Sequence, residues 1–557
     1  MSRRGEPRSL RGKLIRSLLC LAPAGAACLG ATCLPSPPPA ADSVVGSAGA
    51  PLAQDALRAV EPTVPPAPPS QPPAPQGPLK LGVESAILMA IGNNQSLRVE
   101  RLNPPMFRTF EEQERAAFDP VLDAQVSYSR TRSERRSPYG GGTTSSVSQD
   151  LAAQLGLTQF FPTGTTVGLT GTTDISRSSL YSDRFATSRV GLSLTQALLQ
   201  GFGTGVNLVA LRQARLDTQV SEYELRGFAQ DLVATAEETY WDYALAERNI
   251  LIFEDSLKLA EQQLNETQER IRIGKLAETE LAAAQAEVAL RRENLINARS
   301  TLAQTRLRLL RLLNPPGAGL WDREIVLEKQ PAIPEAALDS VEAHVAVALQ
   351  MRPEINEARL RILRGDLELV RTRNGLLPRL DLFLNLGKSG YADSFGRSAD
   401  QVHEGKSYDY QAGLTFEYPL GDRAPRARND RAILGYRQSL ESVGNLVQLV
   451  QVDVRSAYIE ISRAREQVTA TAATRKFQEE ALRAETEKFR VGKSTSFLVA
   501  QAQRDLVVSQ ISEVQAVVTL LKDLVELYRL EGSLLERRGI QAPGRQPVTL
   551  PSSRQGL

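Results

Sequence analysis

The residue types that most often perform chemistry in proteins are rare in this sequence and lie far apart. A metal or nucleophile site built from thiolates or imidazoles needs several Cys or His side chains at short, regular spacing. The three cysteines, Cys20, Cys28 and Cys33, all fall near the N-terminus, and the two histidines are His344 and His403. This pattern excludes a disulfide framework and cysteine-ligated zinc in the rest of the chain, and it argues against a histidine-based site.

Other signatures of catalysis are missing too. The glycine-rich GFGTG at 201–205 lacks the G-x-G-x-x-G spacing of a dinucleotide-binding loop, and we expect it to form a bend between a strand and a helix. No pairing of a nucleophile with a base can be recognised. The formal net charge of +2, from 66 Lys and Arg against 64 Asp and Glu, lacks the basic excess of a nucleic-acid-binding protein. We therefore predict no enzyme activity, no cofactor, no metal site and no nucleic-acid partner.

The N-terminus has the pattern of an export signal, predicted over residues 1–34. Basic residues come first, and the apolar stretch SLLCLAPAGAACLGA at 17–31 follows. This stretch is too short to span a membrane as a helix, and it ends in small residues suited to cleavage. Two interpretations remain open. The signal is either cleaved in the ordinary way, or it is a lipoprotein signal with Cys28 lipidated, although Gly25 replaces the usual leucine.

The segments that flank the main part of the chain are predicted to be disordered. Residues 35–78 contain 14 of the 32 prolines, so residues 35–79 are predicted to form an extended tether. Residues 539–557 are predicted to form a disordered tail. No later window offers about 18 consecutive apolar residues, and we therefore predict no transmembrane helix.

The main part of the chain consists of two repeats of similar sequence. The matching segments are 83–97 with 341–355, 118–126 with 376–384, 190–198 with 412–420, and 237–245 with 455–463. The offset falls by 36 residues between the second and third matches, so the first copy carries an insertion there. We predict a first repeat at 80–314, a connector at 315–340 and a second repeat at 341–538. Each repeat reads as a helix, strands and a very long helical hairpin.

The long helical arms carry a seven-residue apolar period, which is typical of coiled-coil packing. The stripes are Leu281, Val288, Leu295, Leu302 and Leu309 in the first copy, and Val499, Leu506, Leu520 and Leu527 in the second, where Glu513 is a break. A parallel stripe, formed by Ala282, Ala289, Ile296, Ala303 and Leu310, implies packing on more than one side. The aromatic residues Tyr240, Trp241 and Tyr458 are assigned to packing.

A single glycine interrupts each arm at the same place in the two copies. Gly274 in ERIRIGKLAETEL matches Gly492 in EKFRVGKSTSFL. Glycine accepts the left-handed backbone of a turn without a Cβ clash, so both glycines are predicted to join two antiparallel helices. The alternative is a glycine tolerated inside one continuous helix, at a cost of about 1 kcal/mol.

The predicted strands alternate between apolar and polar side chains. RLDLFLNLG at 379–387 and VLDAQVSYS at 121–129 both do so. This pattern fits a membrane β-barrel and also a soluble sandwich. If the strands lie in a membrane, they are too few to close a barrel, so several chains would share one wall. The segment 151–171, with a turn at 162–164, is a further hairpin that either joins this wall or folds outside it.

Together these features resemble the TolC-like outer-membrane efflux family over about residues 80–535. The motifs that carry the resemblance are MRPEI at 351–355, LLPRL at 376–380 and KFRVG at 488–492, together with the duplication itself. The resemblance implies an α+β membrane protein in which three protomers share one β-barrel in the outer membrane. The barrel continues across the periplasm as an α-helical coiled-coil barrel, whose tips contact a periplasmic adaptor protein joined to an inner-membrane pump.

The resemblance also implies roles for individual residues. The tip turns and adaptor contacts would be Ile271, Gly274, Lys275, Phe489, Gly492 and Lys493, and the charges near the tunnel entrance would be Arg270, Arg272, Glu278, Glu280, Lys488 and Arg490. Family members often carry acidic residues just after the second glycine. Leu498 and Gln501 stand there in this chain, which puts an acidic ring in doubt. Glu278 and Glu280 either supply such a ring or are ordinary solvated helix residues.

We therefore predict an outer-membrane channel-tunnel that passively conducts cargo in a tripartite efflux or type I secretion system. Its partners would be two further copies of the chain, the adaptor, the pump and outer-membrane lipid. The alternative is a soluble periplasmic helical-bundle scaffold without channel activity. The sequence does not identify the cargo.

Overall fold

In the computed structural model the described residues are 77–136, 140–179, 184–316, 320–328, 330–333 and 338–550. The predicted export signal with Cys28, nearly all of the proline-rich segment 35–79, and residues 551–557 lie outside them. Among the described residues, the strands are β1 (Leu79–Leu81), β2 (Val121–Arg136), β3 (Thr143–Phe161), β4 (Thr165–Ser178), β5 (Phe185–Ala197), β6 (Ile325–Leu327), β7 (Arg379–Ala392) and β8 (Tyr408–Glu417).

Two pairs of very long helices dominate the described structure. In chain order the helices are α1 (Val83–Asn93), α2 (Gln95–Glu100), α3 (Asn103–Arg115), α4 (Thr204–Asn207), α5 (Val209–Arg272), α6 (Thr279–Leu313), α7 (Val341–Met351), α8 (Pro353–Asn374), α9 (Phe395–Glu404), α10 (Arg423–Arg490), α11 (Ser496–Leu530) and α12 (Leu534–Arg537). The 64 residues of α5 reach about 96 Å at a rise of about 1.5 Å per residue. Within the described ranges, we find no helix with the length and apolar character needed to cross a bilayer.

Corresponding elements recur in the two halves of the chain. Helix α1 corresponds to α7, β2 to β7, β5 to β8, and α5 to α10. The returning helices α6 and α11 have 35 residues each. The segment between the halves contributes β6, which pairs in parallel with β1. The first arm is interrupted at Leu208, between α4 and α5.

The apolar stripes of the arms form the core where the arms meet the shorter helices. One cluster joins α1, α5, α6, β1 and β6, and a second joins α7, α8, α10 and α11 at the equivalent place in the other half. Leu309 and Tyr240 are completely buried in the first cluster, and Tyr458 packs on the His344 ring in the second half. Burial of the predicted heptad positions explains why these helices pair along their length.

Two positions in the apolar stripes of the long helices need explanation: the break at Glu513 and the parallel stripe of α6. The break at Glu513 is an ion pair, because the Arg475 guanidinium on α10 lies 2.5 Å from its carboxylate on α11. In the parallel stripe Ala282, Ala289 and Ile296 are exposed, Ile296 by 67%. That face of α6 is therefore unpaired within one chain.

Six antiparallel strands form one sheet in the order β2-β3-β4-β5-β7-β8. The register aligns similar side chains in rows across all six strands. One row is apolar and consists of Leu122, Leu157, Leu169, Leu192, Leu386 and Tyr410. The next row faces the other way and consists of Asp123, Gly156, Thr170, Gly191, Gly387 and Asp409. Successive strand residues point to opposite faces, so the sheet has an apolar face and a polar face.

The segment 151–171, whose position the sequence left open, lies inside this sheet. It supplies most of β3 and the first half of β4, which stand between β2 and β5. The first half of the chain thus gives four strands to the sheet and the second half gives two.

The segment after α12 is packed, so the prediction of a disordered tail from Gly539 is wrong for its described part. Ile540 packs against the cluster formed by α1, α2, α5, α11 and α12. The Tyr223 hydroxyl on α5 donates a hydrogen bond to the Gln546 carbonyl. Both the amide and the carbonyl of Val548 bond to side chains of α8. These contacts fix the segment although it forms no helix or strand.

Helix α8 carries a carboxyl group whose protonation changes stability. Burial, reinforced by Glu224, raises the pKa of Glu357 to about 7, although Arg361 opposes the shift. Its side chain is only 14% exposed. The folded protein binds this proton more tightly than the unfolded chain does. The resulting stabilisation is fully present below the unfolded pKa of about 4.5 and is lost as the pH rises through the folded pKa of about 7. The difference amounts to about 3 kcal/mol.

We therefore expect the free energy of unfolding to fall between pH 5 and pH 8, and to fall by less in Glu357→Gln. Glu342→Gln on α7 is the matched control, because the Glu342 side chain is 71% exposed and does not contribute to the shift at Glu357. This control should keep the full pH dependence in guanidinium titrations followed by circular dichroism. An equal fall in all three proteins would contradict the assignment to Glu357.

Candidate functional site

The first candidate site is the turn that ends the first arm. Helix α5 ends at Arg272, and Gly274 has a φ of +70°. The Gly274 amide donates to the Ile271 carbonyl at 2.9 Å, and the Lys275 amide donates to the Arg270 carbonyl at 2.8 Å. These two bonds define a Schellman motif, which satisfies the last carbonyls of a helix and reverses the chain.

The second turn repeats this geometry at Gly492, whose φ is +76°. Its amide donates to the Phe489 carbonyl at 3.1 Å, and the Lys493 amide donates to the Lys488 carbonyl at 2.8 Å. Helix α11 then begins with Thr495 as its N-cap. Each glycine therefore ends one helix, and the alternative of a glycine inside a continuous helix is wrong.

The two turns contact each other and form one tip. The Arg270 guanidinium lies over the Phe489 ring, 4.8 Å from its centre, a distance suited to a cation–π interaction. The Ser496 hydroxyl donates to the Glu280 carboxylate. Both contacts cross from one half of the chain to the other. The structure thus brings together residues that are more than 200 positions apart in sequence.

The charged residues of the tip are mostly exposed and form local pairs. Ion pairs within one helix turn join Arg272 to Glu269 at 2.8 Å, Arg490 to Glu487 at 2.9 Å, and Lys488 to Glu485 at 3.0 Å. Hydrogen bonds from Ser494 and then Lys488 lower the pKa of Glu485. Pairs of this kind contribute little to stability in water. Together they place many charges of both signs around the two turns.

The predicted contact residues differ in exposure. Lys275, Lys493 and Glu278 are exposed, whereas Ile271 and Phe489 are half-buried. The lysines are therefore available to a partner, and the two apolar residues support the turn from inside.

Sequence reasoning missed a buried ion cluster behind the tip. The Glu287 side chain on α6 is 7% exposed and lies 2.6 Å from Arg291, one turn further along. Its other oxygen accepts two hydrogen bonds from Arg504 on α11, at 2.5 and 3.0 Å. The spacing of four residues between Glu287 and Arg291 is a recognisable signal. The pairing with Arg504 depends on how the two arms lie together.

The second candidate site is the polar face of the sheet. Arg189 on β5 reaches across β7 and forms two hydrogen bonds with Asp409 on β8, at 2.5 and 2.6 Å. It passes over Gly387, where an added Cβ would lie 2.3 Å from the guanidinium. This glycine therefore makes room for a charged link across three strands.

The predicted bend at 201–205 joins the sheet to the first arm. Gly201 and Gly203 have φ values of +82° and +91°, which L side chains rarely adopt. The Asn207 side chain then donates to the Gly201 carbonyl at 2.8 Å and to the Pro162 carbonyl at 3.1 Å. The turn between β3 and β4 is thus fastened to the root of the arm.

The family model of the outer membrane efflux proteins matches residues 158–315 and 345–533. These ranges cover more than half of the chain and include both long arms and both turns. The chain belongs to the outer membrane efflux protein family.

Individual relatives agree with this assignment. The outer membrane efflux protein BepC of Brucella suis is 26% identical over 358 residues, which cover 62% of this chain and 73% of BepC. The CmeC outer membrane channel of Campylobacter jejuni has a TM-score of 0.62 at 14% identity, covering 85% of this chain and 88% of CmeC. The MtrE channel of Neisseria gonorrhoeae, solved in an open state, has a TM-score of 0.56 at 19% identity, covering 81% and 89%.

Membership of the outer membrane efflux protein family decides between an outer-membrane component and a soluble periplasmic scaffold. The structural likenesses confirm the predicted combination of a strand sheet with a long helical tunnel segment. The protein is an outer-membrane component of an efflux system, and its site of action is the outer membrane. The alternative of a soluble periplasmic scaffold is therefore wrong.

Proposed function

We propose that this protein is a passive channel-tunnel that carries cargo through the outer membrane and performs no chemistry itself. The observation that carries the proposal is the two-faced sheet, apolar on one side and polar on the other, joined directly to helical arms about 96 Å long. An apolar face suits lipid and a polar face suits a water-filled lumen. The export signal proposed for residues 1–34 would supply the route to the membrane, with Cys28 either cleaved off or lipidated.

Self-assembly follows from the two open edges of the sheet. Every described side chain of β2 is exposed, and nearly every one of β8. Unpaired strand edges cannot lie in lipid, so β2 of one copy would pair with β8 of the next. An even number of strands keeps this junction antiparallel. The exposed stripe around Ile296 would be covered by an arm of a neighbouring copy, giving the homotrimer.

The tip would be the periplasmic end. Lys275 and Lys493 are exposed beside the two Schellman turns, where a periplasmic adaptor protein would contact them. The adaptor would join the tunnel to an inner-membrane pump, which supplies the energy. Opening would be a shift between two packings of the arms, and cross-arm contacts such as Arg270 with Phe489 would favour the closed one.

The test is assembly and conductance of the purified protein. In detergent we expect a trimer by light scattering, and in planar bilayers we expect discrete channel currents. Ile296→Glu is the matched variant, because a carboxylate in the proposed contact between arms should reduce trimer formation. A single subunit in lipid nanodiscs that conducts no ions would refute the proposal.

Ion selectivity tests the entrance charges. We expect Glu278→Gln combined with Glu280→Gln to lower the permeability of cations relative to anions, because two negative charges per copy leave the tip. The measurement is the reversal potential in a salt gradient. Glu293→Gln, an exposed position farther along α6, is the control and should leave the potential unchanged. An unchanged potential in the double variant would show that these glutamates are not at the entrance.

A further inference from the structure

The hairpin of β3 and β4 enlarges the sheet from four strands to six. Resting on the function proposed above, we propose that this hairpin is part of the membrane wall. Three copies then close an eighteen-stranded barrel whose exit is wider than a twelve-stranded wall would give, while the helical tunnel behind it is unchanged.

The outward face of the hairpin matches that of its neighbours. Leu155 and Leu157 on β3 are 54% and 42% exposed, and Leu169 on β4 is 47% exposed. All three lie on the same face as Leu192 of β5 and Leu386 of β7. A hairpin folded away from the wall would have no reason to continue this apolar band. Lipid is the solvent that suits the whole face.

The inward face of the hairpin is mostly polar, with glycines near its middle. Gly156, Gly168 and Thr170 of the hairpin share this face with Gly191 of β5. Where a Cβ is added at Gly156 it would lie 2.3 Å from the Asp123 carboxylate. These glycines make room for polar side chains of the neighbouring strands, such as Asp123 and Ser193, which keeps this face polar up to the hairpin.

The attachment of the hairpin fixes it in the sheet and sets its direction. At the β3–β4 turn, the Gly203 amide donates to the Thr163 carbonyl at 3.1 Å. A Cβ on Gly164 would lie 2.3 Å from the Gly201 carbonyl oxygen, so the contact requires glycine. The turn therefore sits at the arm end of the sheet. Short turns at the periplasmic end and longer loops at the outer end are typical of outer-membrane barrels.

The number of strands sets the width of the exit. With strands about 4.8 Å apart and tilted by about 40°, an eighteen-stranded wall is about 36 Å across between backbones, against about 24 Å for twelve strands. Barrels of about 16 to 18 strands enclose an aqueous channel. The hairpin adds strands but no helical arms. It therefore widens the barrel at the exit and leaves the width of the helical tunnel unchanged.

The experiment compares the full chain with a variant that lacks residues 143–178. The rows show that this deletion keeps each face intact, because Leu122 would then lie beside Leu192 and Asp123 beside Gly191. Polyethylene glycols of increasing size are added on the outer side of a planar bilayer, and the largest polymer that lowers the current is recorded. We expect the full chain to admit polymers about 1.5 times wider than the variant does. Equal size limits in two conducting proteins would overturn the inference while leaving the channel function intact.

A second measurement uses the full chain alone and decides the matter if the deletion variant does not assemble. Single cysteines replace Gln154 and Leu155 on β3, with Asn385→Cys and Leu386→Cys on β7 as the matched pair. If β3 is in the wall, a fluorophore at Leu155→Cys is quenched by brominated lipid as strongly as one at Leu386→Cys, and the other two positions react with a water-soluble maleimide. Quenching on β7 but not on β3 would overturn the inference. Absence of trimers and currents in the full chain would overturn the proposed function as well.

Discussion

Replacing Glu287 by glutamine is expected to favour the open state of the proposed tunnel entrance and to raise its open probability about tenfold. Glu287 is the anion shared by Arg291 and Arg504, and its side chain is 7% exposed. Removing one partner of a buried ion pair leaves a desolvated charge and costs about 3–5 kcal/mol. If about 1.4 kcal/mol of this cost falls on the closed packing alone, the open population rises about tenfold.

The measurement is open probability in planar bilayers, with Glu293→Gln on the exposed face of the same helix as the control. The combination of Glu287→Gln with Arg504→Gln tests the contact directly, because the second change should add less than it does alone. If Glu287→Gln behaves like Glu293→Gln, the cluster has no part in gating.

Leu309→Ala is expected to produce the largest loss of stability in the helical part of the molecule. Leu309 is completely buried at a heptad position of α6, in the cluster that joins β1 and β6 to α5. Truncating a buried leucine removes apolar contacts and leaves a cavity, which costs about 3–4 kcal/mol. The measurement is the free energy of unfolding from guanidinium titration.

Leu309→Met separates lost volume from a general intolerance of substitution. Methionine has a similar volume and a flexible chain, so this change should cost less than about 1.5 kcal/mol. If the two substitutions destabilise equally, the packing argument for the heptad stripe fails.

The parts of the fold that follow from local periodicity were predictable. The seven-residue stripe of α6 predicted the burial of Val288, Leu295 and Leu309, whereas Leu281 and Leu302 are only half-buried. The strict alternation at 379–387 predicted the two faces of β7. Gly274 and Gly492 were predictable as turns because a left-handed backbone needs a residue without Cβ, and the repeat showed the need twice.

The parts that depend on distant pairing were not predictable. The strand order that places β3 and β4 inside the sheet depends on which edges meet, and alternation alone is the same for a hairpin in the wall or outside it. The packed segment after α12 has no periodicity, so its sequence predicts a disordered tail. Its order comes from partners such as Tyr223, 323 positions away from Gln546. Likewise, nothing near Glu287 in the sequence points to Arg504.

The even strand count has an evolutionary corollary. A hairpin brings one ascending and one descending strand, so inserting it at an outer loop preserves the polarity of every existing junction. In a three-fold assembly each such insertion adds six strands to the perimeter while the helical conduit and its docking end keep their dimensions. The width of the proposed exit and the proposed coupling to a pump would thus be separable traits, and selection could change the first without disturbing the second.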